Sequence, residues 1–97
     1  MEWSERKNKV NIKKHGISFQ EAAEVFNDPN AIEFYDEAHS KSGEDRYVVI
    51  GDIGNFVIVV VVYTDKNGIE RMITARPAEP VEETQYYENI KRTLGTN

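Results

Sequence analysis

Phe56-Val-Ile-Val-Val-Val-Val-Tyr63 is the longest apolar run of the chain. Its eight residues fall far short of the roughly 20 that cross a bilayer. The run does not alternate between apolar and polar, so as a strand both of its faces must be covered, which places it at the centre of a sheet. Strand 56–64 is followed by Asp65-Lys-Asn-Gly68, whose Asn-Gly pair signals a tight hairpin into a strand over 69–76. On the other side, Ile53-Gly-Asn55 turns back to a strand over 46–52. Residues 32–35 (Ile-Glu-Phe-Tyr) alternate and read as a fourth, short strand, joined by the polar loop 36–45.

Helices flank this meander. Residues 4–14 predict a basic helix with Ser4 as N-cap, ended by Gly16, which takes the left-handed conformation favoured at a helix C-terminus. Val10 and Ile12 supply its narrow docking stripe. Ser18 and Glu21 form a capping box for a second helix over 19–26, which buries Phe19, Ala22, Ala23 and Phe26 and ends before Pro29. Pro77 and Pro80 stop the last strand, and residues 81–94 form a closing helix with Tyr86, Tyr87, Ile90 and Leu94 as its stripe and Gly95 as its cap. The expected architecture is α+β: an antiparallel β-sheet meander with two N-terminal helices and one C-terminal helix, gathered on one side. Ninety-seven residues make a single domain, residues 1–97.

With 39% hydrophobic and 30% charged residues the chain is globular rather than disordered, and its N-terminus lacks the apolar run of a signal peptide, so a cytoplasmic protein with no membrane contact is expected. There is no cysteine, which removes disulfides and thiolate metal sites. His15 and His39 lie apart and no acidic cluster has ligand spacing, so neither a metal nor a cofactor is expected.

The net charge of −5 is unevenly spread. Residues 1–20 carry five cations and two acids, a net of +3, whereas residues 21–45 carry eight acids and one lysine, a net of −7. A basic patch on an acidic protein points to a polyanion. The acidic segment suits a basic partner, with Tyr35 or Tyr87 as exposed aromatic contacts.

Cations and aromatics near element ends are the candidate site: His15, Arg71, Arg76 and Glu82 for catalysis, and Lys7, Lys13, Lys14, Arg46 and Tyr86 for binding RNA. Such a set could cleave RNA without metal. The 2′-hydroxyl is already an internal nucleophile, so the protein need only position it, move protons and neutralise charge on the phosphorane. Arginine pairs two phosphate oxygens and keeps its proton. A histidine titrating near neutrality serves as acid or base, although His15 at a helix C-terminus also has a purely structural use. Arg71 lies five positions before Arg76, so strict alternation sends the two to opposite sheet faces unless a bulge intervenes. Glu82 also suits a helix cap, and Tyr86 a core position.

Three segments in register resemble the BrnT toxins. They are Lys7-Asn8 to Asn11 with Lys14-His15-Gly16, Ser18-Phe19 and Glu21-Ala22; Glu44-Asp45-Arg46-Tyr47 with Ile50-Gly51; and Arg71-Met-Ile-Thr-Ala75-Arg76-Pro-Ala78 with Glu82 and Tyr86. The resemblance implies a fold like that of the RelE ribonucleases and toxicity by RNA cleavage. It also implies a ribbon-helix-helix, BrnA-like antitoxin that neutralises the toxin and, in complex with it, binds operator DNA to repress their operon. Two positions depart from the pattern. Ser4 follows Trp3 where the family usually has an acid, and Glu82-Glu83 stands where it usually has Glu-Arg. An anion beside a phosphate site weakens RNA binding by Coulomb repulsion. The alternative is therefore a non-catalytic antitoxin-binding module that has lost cleavage.

Overall fold

The computed structural model of the chain describes residues 1–95. Helix α1 spans Glu5–His15. Its N-cap Ser4 accepts the Lys7 amide, and Gly16, at φ 74°, closes it with a hydrogen bond to the Ile12 carbonyl. Lys13, Lys14 and His15 fill the last turn, where the helix dipole favours positive charge.

The docking of α1 differs from the expected apolar stripe. Val10 is 55% and Ile12 44% exposed, and the buried residue between them is Asn11. Asn11 Nδ2 donates to the carbonyls of Ile17 (2.9 Å) and Ala75 (2.8 Å), and its Oδ1 accepts the Ala75 amide at 3.1 Å. The reason is position: α1 lies along the edge of the last strand, where unpaired backbone must be satisfied. A side-chain amide meets both groups of one residue, as a neighbouring strand would. Asn8 plays a related part, its Oδ1 accepting the Phe19 amide at 2.8 Å at the start of the next helix.

Helix α2 (Phe19–Ala22) opens with both bonds of the Ser18/Glu21 capping box. It tightens into a 3-10 turn over Ala23–Asn27. At three residues per turn the inward face rotates, so Val25 is buried while Phe26, expected in the core, is 41% exposed.

Four strands follow: β1 (Ile32–Tyr35), β2 (Asp45–Asp52), β3 (Ile58–Lys66) and β4 (Ile69–Pro77), an antiparallel meander in sequence order. Strand β3 is central, as its unbroken apolar run requires. It starts at Ile58 rather than Phe56 because Asn55 and Phe56 adopt φ of 55° and 63°, which makes them part of the turn. Asn67 and Gly68 also have positive φ, the geometry of the tight hairpin turn the sequence predicts.

Val59, Val61 and Tyr63 of β3 pack with Phe19, Ala22 and Val25, whereas Ile58 and Val60 point to the opposite face and meet Ile50 and Tyr86. Tyr86 belongs to α3 (Pro80–Leu94). The helices are thus divided between the two sheet faces instead of gathered on one. An unalternating strand demands this, since each face of β3 needs its own cover. The N-terminus completes the β4 edge: the Glu2 amide donates to the Glu70 carbonyl (2.9 Å) and the Met72 amide to the Glu2 carbonyl (2.8 Å).

Candidate functional site

The register of β3 against β4 slips between Val62 and Tyr63: Val62 faces Thr74 while Tyr63 faces Met72, leaving Ile73 as an extra residue. This bulge decides where the arginines go. Without it Arg71 and Arg76 would occupy opposite faces; with it Arg71 lies opposite Thr64 and Arg76 opposite Val60, two β3 positions of one parity. Arg46 also lies opposite Thr64, from β2. Arg46, Thr64 and Arg71 therefore form one row across three strands, and Arg76 stands on the same face, the one α3 partly covers.

Thr64 is buried at the centre of that row. Arg46 Nε is buried and, among the described residues, lacks any hydrogen-bond partner. Arg71 is half exposed and lies 3.8 Å from Glu2. A hollow of about 240 Å³ opens over Thr64, Lys66 and Arg71, with Glu2 and Glu44 on its rim.

Arg76 is engaged more tightly. Both of its terminal nitrogens donate to the Glu82 carboxylate at 2.7 Å, in the paired-fork geometry, and Glu82 also accepts the Glu79 amide as part of the α3 cap. The bond to Glu82 raises the Arg76 pKa against the opposing effect of burial, and the same bond holds Glu82 below its ordinary value. Tyr86 is buried and donates to Asp28 Oδ2 at 2.6 Å; burial first, then that bond, pushes its phenol up. Its hydroxyl thus ties α3 to the turn before β1.

The cations of α1 meet the same strand from the side. Arg6, Lys7, Lys14 and His15 line a cleft of about 250 Å³ whose floor is Ile73, the bulged residue, and Thr74. Thr74 falls between Arg71 and Arg76 on the shared face, so the bulge joins the α1 cleft to the arginine face. Lys13 is exposed on α1 and does not line the cleft. Sequence reasoning missed Thr64 and left the bulge open. The first reads as one more residue of an apolar strand, and the second has no signal in Met72-Ile73-Thr74.

Acid should weaken this arrangement in a defined window. Burial pushes Asp28 up, but its bonds from Tyr86 and from the Asp52 and Asn30 amides outweigh this and leave it lowered, as Glu82 is. A carboxylate with a depressed folded pKa stabilises fully above its unfolded value and loses that stabilisation as pH falls through the folded one. The melting temperature should therefore hold down to the ordinary glutamate value of 4.5 and fall below it. Glu82→Gln should melt lower at neutral pH and lose less in acid. Thermal melts from about pH 7 to about pH 3 check this; identical acid slopes for Glu82→Gln and the parent would contradict it.

The profile of the family described as "Ribonuclease toxin, BrnT, of type II toxin-antitoxin system" matches residues 3–82. The chain belongs to the BrnT family. The crystal structure of the Brucella abortus ribonuclease toxin, BrnT, superposes with a TM-score of 0.62 at 27% identity, over 81% of this chain and 95% of that one. No curated protein sequence matches the chain. The fold is thus BrnT-like α+β, as the resemblance implied, and membership of a type II toxin family implies an antitoxin partner. The family match ends at Glu82, the acid that holds Arg76, so most of α3 lies beyond it.

Proposed function

We propose that this BrnT-family chain is a cytoplasmic endoribonuclease toxin that cleaves RNA without a metal and thereby inhibits translation. The observation that carries the reading is the bulge at Ile73, which supports a single cationic surface made from Arg46, Arg71, Arg76 and the α1 cleft. RNA lies along this surface, its backbone met by Lys7, Lys14 and Arg46, with Lys13 outside the cleft. Arg71 pairs with the non-bridging oxygens of the scissile phosphate and neutralises the charge that builds as the 2′-oxygen attacks. The 2′-oxygen forms its bond to phosphorus, the 5′-oxygen leaves, and the products are a 2′,3′-cyclic phosphate and a 5′-hydroxyl. His15 moves a proton in this exchange. Glu82 stays ionised and positions Arg76; Tyr86 fixes the helix that carries Glu82. A cognate ribbon-helix-helix antitoxin neutralises the toxin, and the complex represses their operon through the antitoxin's contact with operator DNA.

The alternative, a non-catalytic antitoxin-binding module, has one specific observation in its favour: the fork pairing of Arg76 with Glu82 already satisfies a cation that phosphate would need. Incubating RNA with the purified protein in excess chelator separates the two readings. Cyclic-phosphate ends are the product the ribonuclease yields, and intact RNA is the outcome for the module.

A further inference from the structure

The sheet face that carries the first two helices ends in an aromatic platform outside the proposed RNA surface. Register sets Tyr35, Tyr47 and Tyr63 opposite one another on β1, β2 and β3. Tyr47 stacks on Tyr63, with centroids 5.3 Å apart and planes 22° apart. Tyr35 meets Tyr47 edge-on at 5.6 Å, and Phe26 meets Tyr63 edge-on at 5.6 Å. Tyr63 is buried, but Tyr35 is 53% exposed and Phe26 projects from the 3-10 turn, so the row opens to solvent. Tyr87 lies on α3 beside Tyr86, away from this row.

The surroundings are acidic. The next row outward is Asp45, Asp65 and Glu70, directly opposite one another on β2, β3 and β4. On the inner side Glu33 accepts the Tyr63 hydroxyl at 2.6 Å. Like charges facing each other across strands destabilise a sheet, yet none of these four carboxylates has an ion pair among the described residues. Burial, and then the fields of Asp45, Asp65 and Glu33, raise the Tyr47 phenol. Arg46 and Thr64 sit next to Tyr47 and Tyr63 in sequence but face the other side. This end of the sheet is therefore aromatic and acidic on one face and cationic on the other.

We propose that the Tyr35–Tyr47–Tyr63 platform, with Phe26, docks an arginine-bearing segment of a protein partner, the antitoxin. Arginine suits the surface better than lysine because its flat, weakly hydrated guanidinium stacks on an aromatic face while its N–H groups reach carboxylates at the rim. Asp45, which accepts the Tyr35 hydroxyl at 3.3 Å, is the nearest such carboxylate. RNA bases also stack on aromatic rings, but the phosphates that come with them would meet four unpaired acids. The identity of the partner rests on the family's antitoxin; the surface does not depend on cleavage by the opposite face.

Titrating the full chain with hexa-arginine, hexa-lysine and a uridine hexamer, and following backbone amide shifts, tests the proposal. Hexa-arginine should shift residues of the Tyr35, Tyr47 and Phe26 patch and bind more tightly than hexa-lysine. Tyr35→Ala should remove that preference, Asp45→Asn should weaken both peptides, and RNA cleavage should be unchanged in Tyr35→Ala. Equal affinity for the two peptides, unaffected by Tyr35→Ala, would reduce the patch to a solvated acidic face and overturn the proposal, as would uridine shifts centred on it. Loss of cleavage with the arginine preference intact would count against the ribonuclease reading alone.

Discussion

Arg71→Ala should cleave RNA about 10²–10³-fold more slowly than the parent, because a preorganised donor aimed at transition-state charge is worth roughly 3–4 kcal/mol. Its fold should survive. Arg71 is half exposed, and its one ion pair among the described residues, 3.8 Å from Glu2, is a surface contact of the kind worth at most about 1 kcal/mol. His39→Ala is the matched control: His39 is an exposed loop residue bonded, among the described residues, to Asp36 alone, so its loss should be near neutral for rate and stability. Initial rates on a labelled RNA and melting temperatures for the two variants decide the matter. A larger loss in His39→Ala would move the site off β4.

Asn11→Ala should produce the largest loss of stability among these changes. It removes the partners of three backbone groups in a buried setting: the Ala75 amide, the Ala75 carbonyl and the Ile17 carbonyl. Each orphaned group costs about 1–3 kcal/mol, so about 3–9 kcal/mol in all is at stake. That rivals the whole stability of a small domain, about 5–15 kcal/mol. The melting temperature should drop by at least about 15 °C. An Asn11→Ala variant that melts with the parent, read by circular dichroism, would show that water replaces the amide.

These two residues also show what the sequence could reveal. The order of strands, the central place of the 56–64 run and the capping at Ser4, Gly16, Ser18 and Asn67-Gly68 follow from local chemistry, and each is where the residues put it. Asn11 was legible only as part of a family signature. Its role depends on an edge strand 64 positions away in the chain, which no local pattern encodes. Arg71 was a candidate whose face turned on whether a bulge existed, and Met72-Ile73-Thr74 reads the same with or without one. For Arg76 the sequence pointed to a cation at a strand end. The Glu82 fork appears only once α3 is placed, and it means that Arg76→Ala would also strand a partly buried carboxylate. The division of helices between the two sheet faces was implicit in the unalternating β3 strand.

The central claim is that a cationic face assembled on β4 cuts RNA with the RNA's own 2′-hydroxyl and no metal. The most direct measurement incubates purified protein with end-labelled RNA in excess chelator and identifies the new 3′ ends. The account predicts cleavage at the rate seen without chelator, with 2′,3′-cyclic phosphate or its hydrolysis product. Cleavage that stops on chelation and returns with magnesium, or RNA that stays intact under both conditions, would contradict it.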